Sequence, residues 1–129
     1  MSIYDDVAVI LQSEDWFTSQ IIYKDGMPER PADASCVSLI GGEVSRIHNT
    51  TKVAWSHYGI EIRVRAANSD NARDRIEVAA AALDGITNRY VNGSVIRSCF
   101  QIDVPLLVER DPGGETVYSV SFNIVRRGR

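Results

Sequence analysis

Gly59-Ile60-Glu61-Ile62-Arg63-Val64-Arg65-Ala66-Ala67-Asn68-Ser69-Asp70, running on through Asn71-Ala72-Arg73-Asp74-Arg75-Ile76 to Tyr90, is the stretch on which the fold turns. Ile60, Ile62, Val64 and Ala66 alternate with Glu61, Arg63 and Arg65, the period-two pattern of a half-buried strand. Ser69 offers a hydroxyl as helix N-cap, and Asp70 places negative charge in the first turn. Ala72, Ile76, Ala79, Ala80, Leu83 and Ile86 follow at helical spacing. The small residues Ala79 to Ala82 let such a helix lie close on a sheet. The stretch therefore predicts a strand, a polar turn and a helix over about 70–84.

Working outward, the N-terminal side predicts a helix over 2–13. Ile3, Val7, Ile10 and Leu11 form its stripe, Ser2 its cap, and Asp5 and Asp6 its acidic first turn. A strand is expected from Trp16 to Lys24, punctuated by Asp25-Gly26. Met27-Pro28-Glu29-Arg30-Pro31 reads as an extended crossing loop, because two prolines fix two φ angles and remove two donors. A short strand, Ser35 to Ile40, closes at Gly41-Gly42, and the polar stretch 43–53 reads as a long loop. Trp55 to Ala67 is the central strand.

On the C-terminal side, Ile86 and Tyr90 continue the helical stripe past Asp84-Gly85, and Asn92-Gly93 marks a turn. In Val95 to Val104, Ile96, Phe100, Ile102 and Val104 are expected on one face, with Arg97, Gln101 and Asp103 on the other. Leu106 to Val108 lead into the turn Glu109-Arg110-Asp111-Pro112-Gly113-Gly114-Glu115. Tyr118, Val120, Phe122 and Ile124 then alternate with Ser119, Ser121 and Asn123 in the last strand. The order α-β-β-β-α-β-β predicts one α+β domain over 1–129, a mixed or antiparallel sheet of four to six strands flanked by two helices, ending in a hairpin.

Composition narrows the classes. With 129 residues, 44% hydrophobic and 24% charged, the chain has globular proportions. No apolar run is long enough to span a bilayer, and Met1 to Asp6 lacks the basic region of a signal peptide, so a cytosolic site of synthesis and no membrane partner are expected. A net charge of −3 argues against a general nucleic-acid binder, although Arg126-Arg127-Gly128-Arg129 is basic. Cys36 and Cys99, outside any CxxC spacing, read as reduced strand thiols.

Chemistry is hard to assemble from these residues. There is no phosphate loop, no GxSxG elbow and no HExxH. His48 and His57, in or near a polar loop, read as surface histidines, since a catalytic histidine needs a partner that orients it, and no cofactor or metal is expected. Trp55, His57 and Tyr58 are aromatic enough for a stacking platform, but core or subunit-contact aromatics fit better. Arg63 and Arg65 share a strand face. If that strand pairs with the last one, they lie beside Ser119, Ser121, Asn123 and, beyond, Arg127. The alternatives are a solvated face with local ion pairs, or a wet surface that meets a partner or a channel.

The order of motifs resembles the tail terminator or minor capsid proteins of long-tailed bacteriophages. Four stretches carry the likeness: Trp16 to the Pro28-Glu29-Arg30-Pro31 loop, Ala34 to Gly42, the strand–helix unit Ile60 to Leu83, and Val117 to Val125. The resemblance implies a sheet flanked by helices and a homo-hexameric ring. Such a ring caps the tail tube, stops its polymerisation and provides the head–tail joining surface, without catalysis. It further implies contact with the tail tube protein and with a head–tail connector or neck protein, transient contact with DNA in the lumen, and residence in the virion tail or neck after assembly in the bacterial cytoplasm. On this view Arg63, Arg65, Ser119, Ser121, Asn123 and Arg127 face the lumen or a neighbouring subunit. A neck or head-completion protein of the same particle remains an alternative, as does a small cytosolic nucleic-acid-binding module.

Overall fold

The protein is described by a computed structural model covering residues 2–18, 21–28, 33–46, 53–110 and 115–127. Helix α1, Ile3–Gln12, begins at a capping box. The Ser2 hydroxyl accepts from the Asp5 N–H at 3.3 Å, and the Asp5 carboxylate accepts from the Ser2 N–H at 3.1 Å. Its buried stripe is Ile3, Val7, Ile10 and Leu11, with Asp6. Helix α2, Ser69–Leu83, buries Ala72, Ile76, Ala79, Ala80 and Leu83. Asn68 caps it, its side chain accepting from the Asn71 N–H at 2.9 Å; Ser69, expected as the cap, is the first helical residue.

Seven strands make the sheet among the described residues: β1 (Ile22–Lys24), β2 (Ala34–Arg46), β3 (Val53–Ala66), β4 (Ile86–Val91), β5 (Ser94–Gln101), β6 (Leu106–Arg110) and β7 (Thr116–Arg127). Their order is β1-β2-β3-β7-β5-β4, with β6 also on β7. β1 runs parallel to β2 and every other pair is antiparallel, so the sheet is open and mixed and the fold is α+β. Strand β7 is the spine: β3 takes one edge along its length, while β6 and β5 share the other. The core lies between the helices and one sheet face, where Ile60, Ile62 and Val64 meet Val120, Phe122 and Ile124 and join Ile76, Leu83, Val7 and Ile10.

Several expectations are corrected. Trp16 does not start a strand: the Phe17 N–H donates to the Glu14 carbonyl in a turn, and among the described residues pairing begins at Ile22. Gly41-Gly42 does not close a strand, since β2 runs through it and pairs with β3 as far as Arg46. The polar stretch 43–53 is therefore strand at both ends; residues 47–52 and the Glu29 to Pro31 part of the crossing loop lie outside the described residues. Gly85, at φ +83°, ends the helical stripe and turns its N–H to the Cys99 carbonyl at 2.8 Å. Ile86 to Tyr90 consequently belong to β4, joined to β5 by Asn92 and Gly93, both at positive φ.

Strand β5 stops at Gln101. An irregularity between Ile96 and Ser98 reverses its alternation, so Ile96 and Cys99 enter the core while Phe100 turns outward. Leu106 to Val108, expected as a lead into a turn, form β6.

Candidate assembly surface

Neither described helix packs on the second sheet face, and the pairing register assigns its rows. Opposite residues run Arg127–Val95–Tyr90 at one end, with Trp55 just past the last β3–β7 pair Ser56–Arg126, then His57–Val125, Gly41–Gly59–Asn123–Phe100, Ser38–Glu61–Ser121, Cys36–Arg63–Ser119–Leu106 and Ala34–Arg65–Val117–Glu109. The pairing of β3 with β7 thus puts Arg63, Arg65, Ser119, Ser121, Asn123 and Arg127 on one face. They are not equally accessible. Asn123 and Arg127 are exposed, and the Arg63 side chain is 43% exposed. Ser119 and Ser121 are buried, and the Arg65 side chain is mostly covered.

Local ion pairs hold the arginines. Arg63 Nε donates to Glu61 Oε1 two residues away on the same strand face. Arg65 Nε lies 4.0 Å from Glu115 Oε2. Burial pushes the neighbouring Cys36 thiol above its ordinary pKa, against the pull of the Arg63 charge, so this cysteine stays a neutral thiol. Asp103 spans the gap between β5 and β6. Its carboxylate accepts from the Ser121 N–H at 3.0 Å, while the Ile102 N–H donates to the Ser121 carbonyl at 2.8 Å. These two bonds fix the segment that carries Ile102 and Val104.

That segment borders an open depression. Gly41, Gly42 and Gly59 carry no side chains, and a depression of about 490 Å³ lies over them, lined also by Ile40, His57, Tyr58, Ile102 and Asn123. Apolar side chains stand exposed around and beyond it: Ile40 (54%), Phe100 (54%), Ile102 (52%), Val104 (68%) and Leu106 (49%). A sequence reading that puts Ile96 and Phe100 on one face hides this band. The signal was the adjacent pair Cys99-Phe100, which strict alternation cannot place on a single side.

At the far end, the Arg127 guanidinium lies 5.0 Å from the centroid of the Trp55 ring and the Arg97 guanidinium lies 5.3 Å from it. The other tryptophan, Trp16, receives Arg75 at 4.8 Å, and Arg75 also pairs with Asp33 at 3.0 Å. Among the described residues, no three His, Cys, Asp or Glu side chains gather as a metal site. No helix among them is long and apolar enough to cross a membrane.

These features define a small α+β domain in which one sheet face is consumed by the core and an exposed apolar band lies outside it. Residues 10–127 match the family model described as bacteriophage tail terminator protein, and the chain belongs to that family. It is thus a structural protein of the virion, located in the phage tail. Among solved structures, a chain in the virion of a native gene transfer agent particle is similar in fold, with a TM-score of 0.66 at 15% identity over 98% of this chain and 96% of that one. No curated protein matches by sequence.

Proposed function

We propose that the chain acts as one domain and closes into a homo-hexameric ring that caps the tail tube, stops its growth and offers the head connector a joining surface. The observation that carries this reading is the exposed apolar band of Ile40, Phe100, Ile102, Val104 and Leu106, outside the helix-facing core. Contiguous exposed apolar surface of this kind marks a place where another chain sits. A ring needs two different patches that meet head to tail, and the free edges of β1, β4 and β6 supply backbone donors and acceptors for them. Arg63, Arg65, Asn123 and Arg127 serve at the subunit contact or the lumen, with Ser119 and Ser121 shaping that face from within. The role is structural, with the tail tube and neck proteins as partners and DNA passing through the lumen.

The test is native mass measurement with electron microscopy of the pure protein, alone and with tail tubes. Rings and capped tube ends are expected. Because Phe100 and Ile102 are about half exposed, Phe100→Asp with Ile102→Asp should abolish rings and leave a folded monomer. A wild type that stays monomeric at high concentration and in the presence of tubes would refute the proposal.

A further inference from the structure

We propose that Arg97 and Arg127, held on the Trp55 ring, form a binding site for the phosphate backbone of duplex DNA. The inference deepens the reading above and rests on its lumen role for Arg127, although the cluster itself exists within one subunit. Three observations carry it.

The first is that both guanidiniums are prepositioned. Each lies about 5 Å from the same ring centroid, inside the range where an aromatic face attracts a cation. Stacking restrains a guanidinium plane while leaving its N–H edges free, and that fork matches the oxygens of a phosphate. Register brings them together: Arg127 follows the β3–β7 pairing just past Ser56–Arg126, and Arg97 sits at the irregularity between Ile96 and Ser98 that lets β5 present an extra residue there.

The second observation is that no described carboxylate pairs with either guanidinium. Both arginines are exposed. Arg63, Arg65, Arg73, Arg75 and Arg126 each have an acidic partner, whereas Arg89 and Arg110 share with Arg97 and Arg127 the lack of an ion pair to a described carboxylate; what sets the latter two apart is that they converge on one ring. In particular, Arg126 next door is buried against Asp6, so that carboxylate does not cancel its neighbours. A chain of net charge −3 therefore carries a local positive site at this end of the sheet.

The third observation concerns the ring. The two guanidiniums occupy the space over Trp55 that a stacking base would need. The site is suited to backbone phosphates rather than to unpaired bases, which separates it from a single-strand platform. Tyr90, 80% exposed in the same row, extends the surface beside it.

The experiment is fluorescence anisotropy of a labelled duplex of about 30 base pairs with the full chain across a salt series, where each phosphate contact contributes about 0.9 to the slope of log K against log salt. Arg97→Gln with Arg127→Gln should weaken binding at least ~10-fold at about 50 mM salt and reduce that slope by about 1.8. Trp55→Leu keeps both charges, so it should weaken binding while leaving the slope nearly unchanged; circular dichroism checks that each variant is folded. Arg73→Gln, on the opposite layer, should change neither quantity. The assignment is overturned if duplex DNA does not bind the wild type, or if the double arginine variant keeps the wild-type slope. It is also overturned if polyglutamate displaces the wild type as effectively as unlabelled duplex does, which would mark the site as one for an acidic protein. Ring formation is read separately by native mass, so failure of the DNA site and failure of the ring are told apart.

Discussion

Asp6 and Arg126 form the connection whose removal should matter most to stability. Asp6 is fully buried on α1, and the Arg126 side chain, on β7, is 6% exposed. Arg126 Nε donates to Asp6 Oδ2, and its Nη2 donates to the Ser94 hydroxyl of β5 at 2.8 Å. One pair therefore ties the first helix to two strands, at Ser94 and at Arg126, far along the chain. Asp6→Ala removes the counter-charge from a guanidinium that water barely reaches, and loss of one partner from such a pair costs about 3–5 kcal/mol. Arg126→Met should cost a similar amount, because the Asp6 carboxylate stays buried and its Oδ1 already lacks a hydrogen-bond partner. The combined Asp6→Leu and Arg126→Met variant is different. Its new side chains lie beside the apolar core residues Val7, Ile10, Ile96 and Ile124, and no charge remains to be desolvated, so it should return to within about 1–2 kcal/mol of wild type. Urea denaturation followed by circular dichroism gives all four free energies, provided the m-values agree. The decisive quantity is the coupling between the two sites. If Asp6→Ala costs under about 1 kcal/mol, the pair behaves like a solvated surface bridge and the reasoning fails.

The remaining expectations concern the thiols and the glycines. Burial pushes the Cys99 thiol up to about 12, helped by the Asp84 charge, and Cys36 is raised chiefly by burial as well. At pH 8 the thiolate fraction of Cys99 is then about 10⁻⁴, so a thiol-specific reagent should leave both cysteines unmodified in the native chain and label both in urea. Raised thiol pKa values favour the protonated native state: their stabilising effect is whole below about pH 9 and is lost as pH climbs toward the folded value of Cys99, which an alkaline urea series should record. For the glycines, an added Cβ at Gly42 would meet the His57 carbonyl oxygen at 3.0 Å, whereas at Gly59 it would meet the Ile40 Cγ1 atom at 3.1 Å. Backbone yields less readily than a side chain, so Gly42→Ala should cost about 1–3 kcal/mol and Gly59→Ala less. Equal losses in a thermal melt would contradict that ranking.

The strongest periodic segments were legible in the residues themselves. Ile60 to Ala66 alternates cleanly because one face meets the helices, and the capping box at Ser2 is a local device that needs no tertiary context. What failed depended on contacts made elsewhere. Ile86 and Tyr90 do continue a helical stripe, but Gly85 takes a positive φ and the Asn92-Gly93 turn returns the chain to pair with β4, so hairpin geometry overrides periodicity. The short strand β6 has all five residues exposed and no alternation of burial. Its existence comes from pairing with β7, which sequence pattern does not record. The polar residues 43–46 are strand for the same reason, through pairing with β3. Arg63, Arg65, Ser119, Ser121 and Asn123 fell on a common face because alternation in β3 and β7 is regular where they pair. Neither the burial of Ser119 and Ser121 nor the meeting of Arg97 with Trp55 could be read, since both depend on how the neighbouring strands arrive.

This division has a consequence for how such a subunit evolves its contacts. In β3 and β7 every second residue belongs to the core, and the intervening ones face away from it. Substitution at Ile62 or Val120 creates a cavity and costs about 1–4 kcal/mol of folding stability. Substitution at Asn123, exposed on the other face, should leave core packing nearly untouched. The exposed residues can therefore be altered along the same strands that hold the fold together, without loss of folding. That separation also makes the assembly experiment interpretable: Phe100 and Ile102 stand outside the core cluster, so charge placed there acts on association and not on the fold.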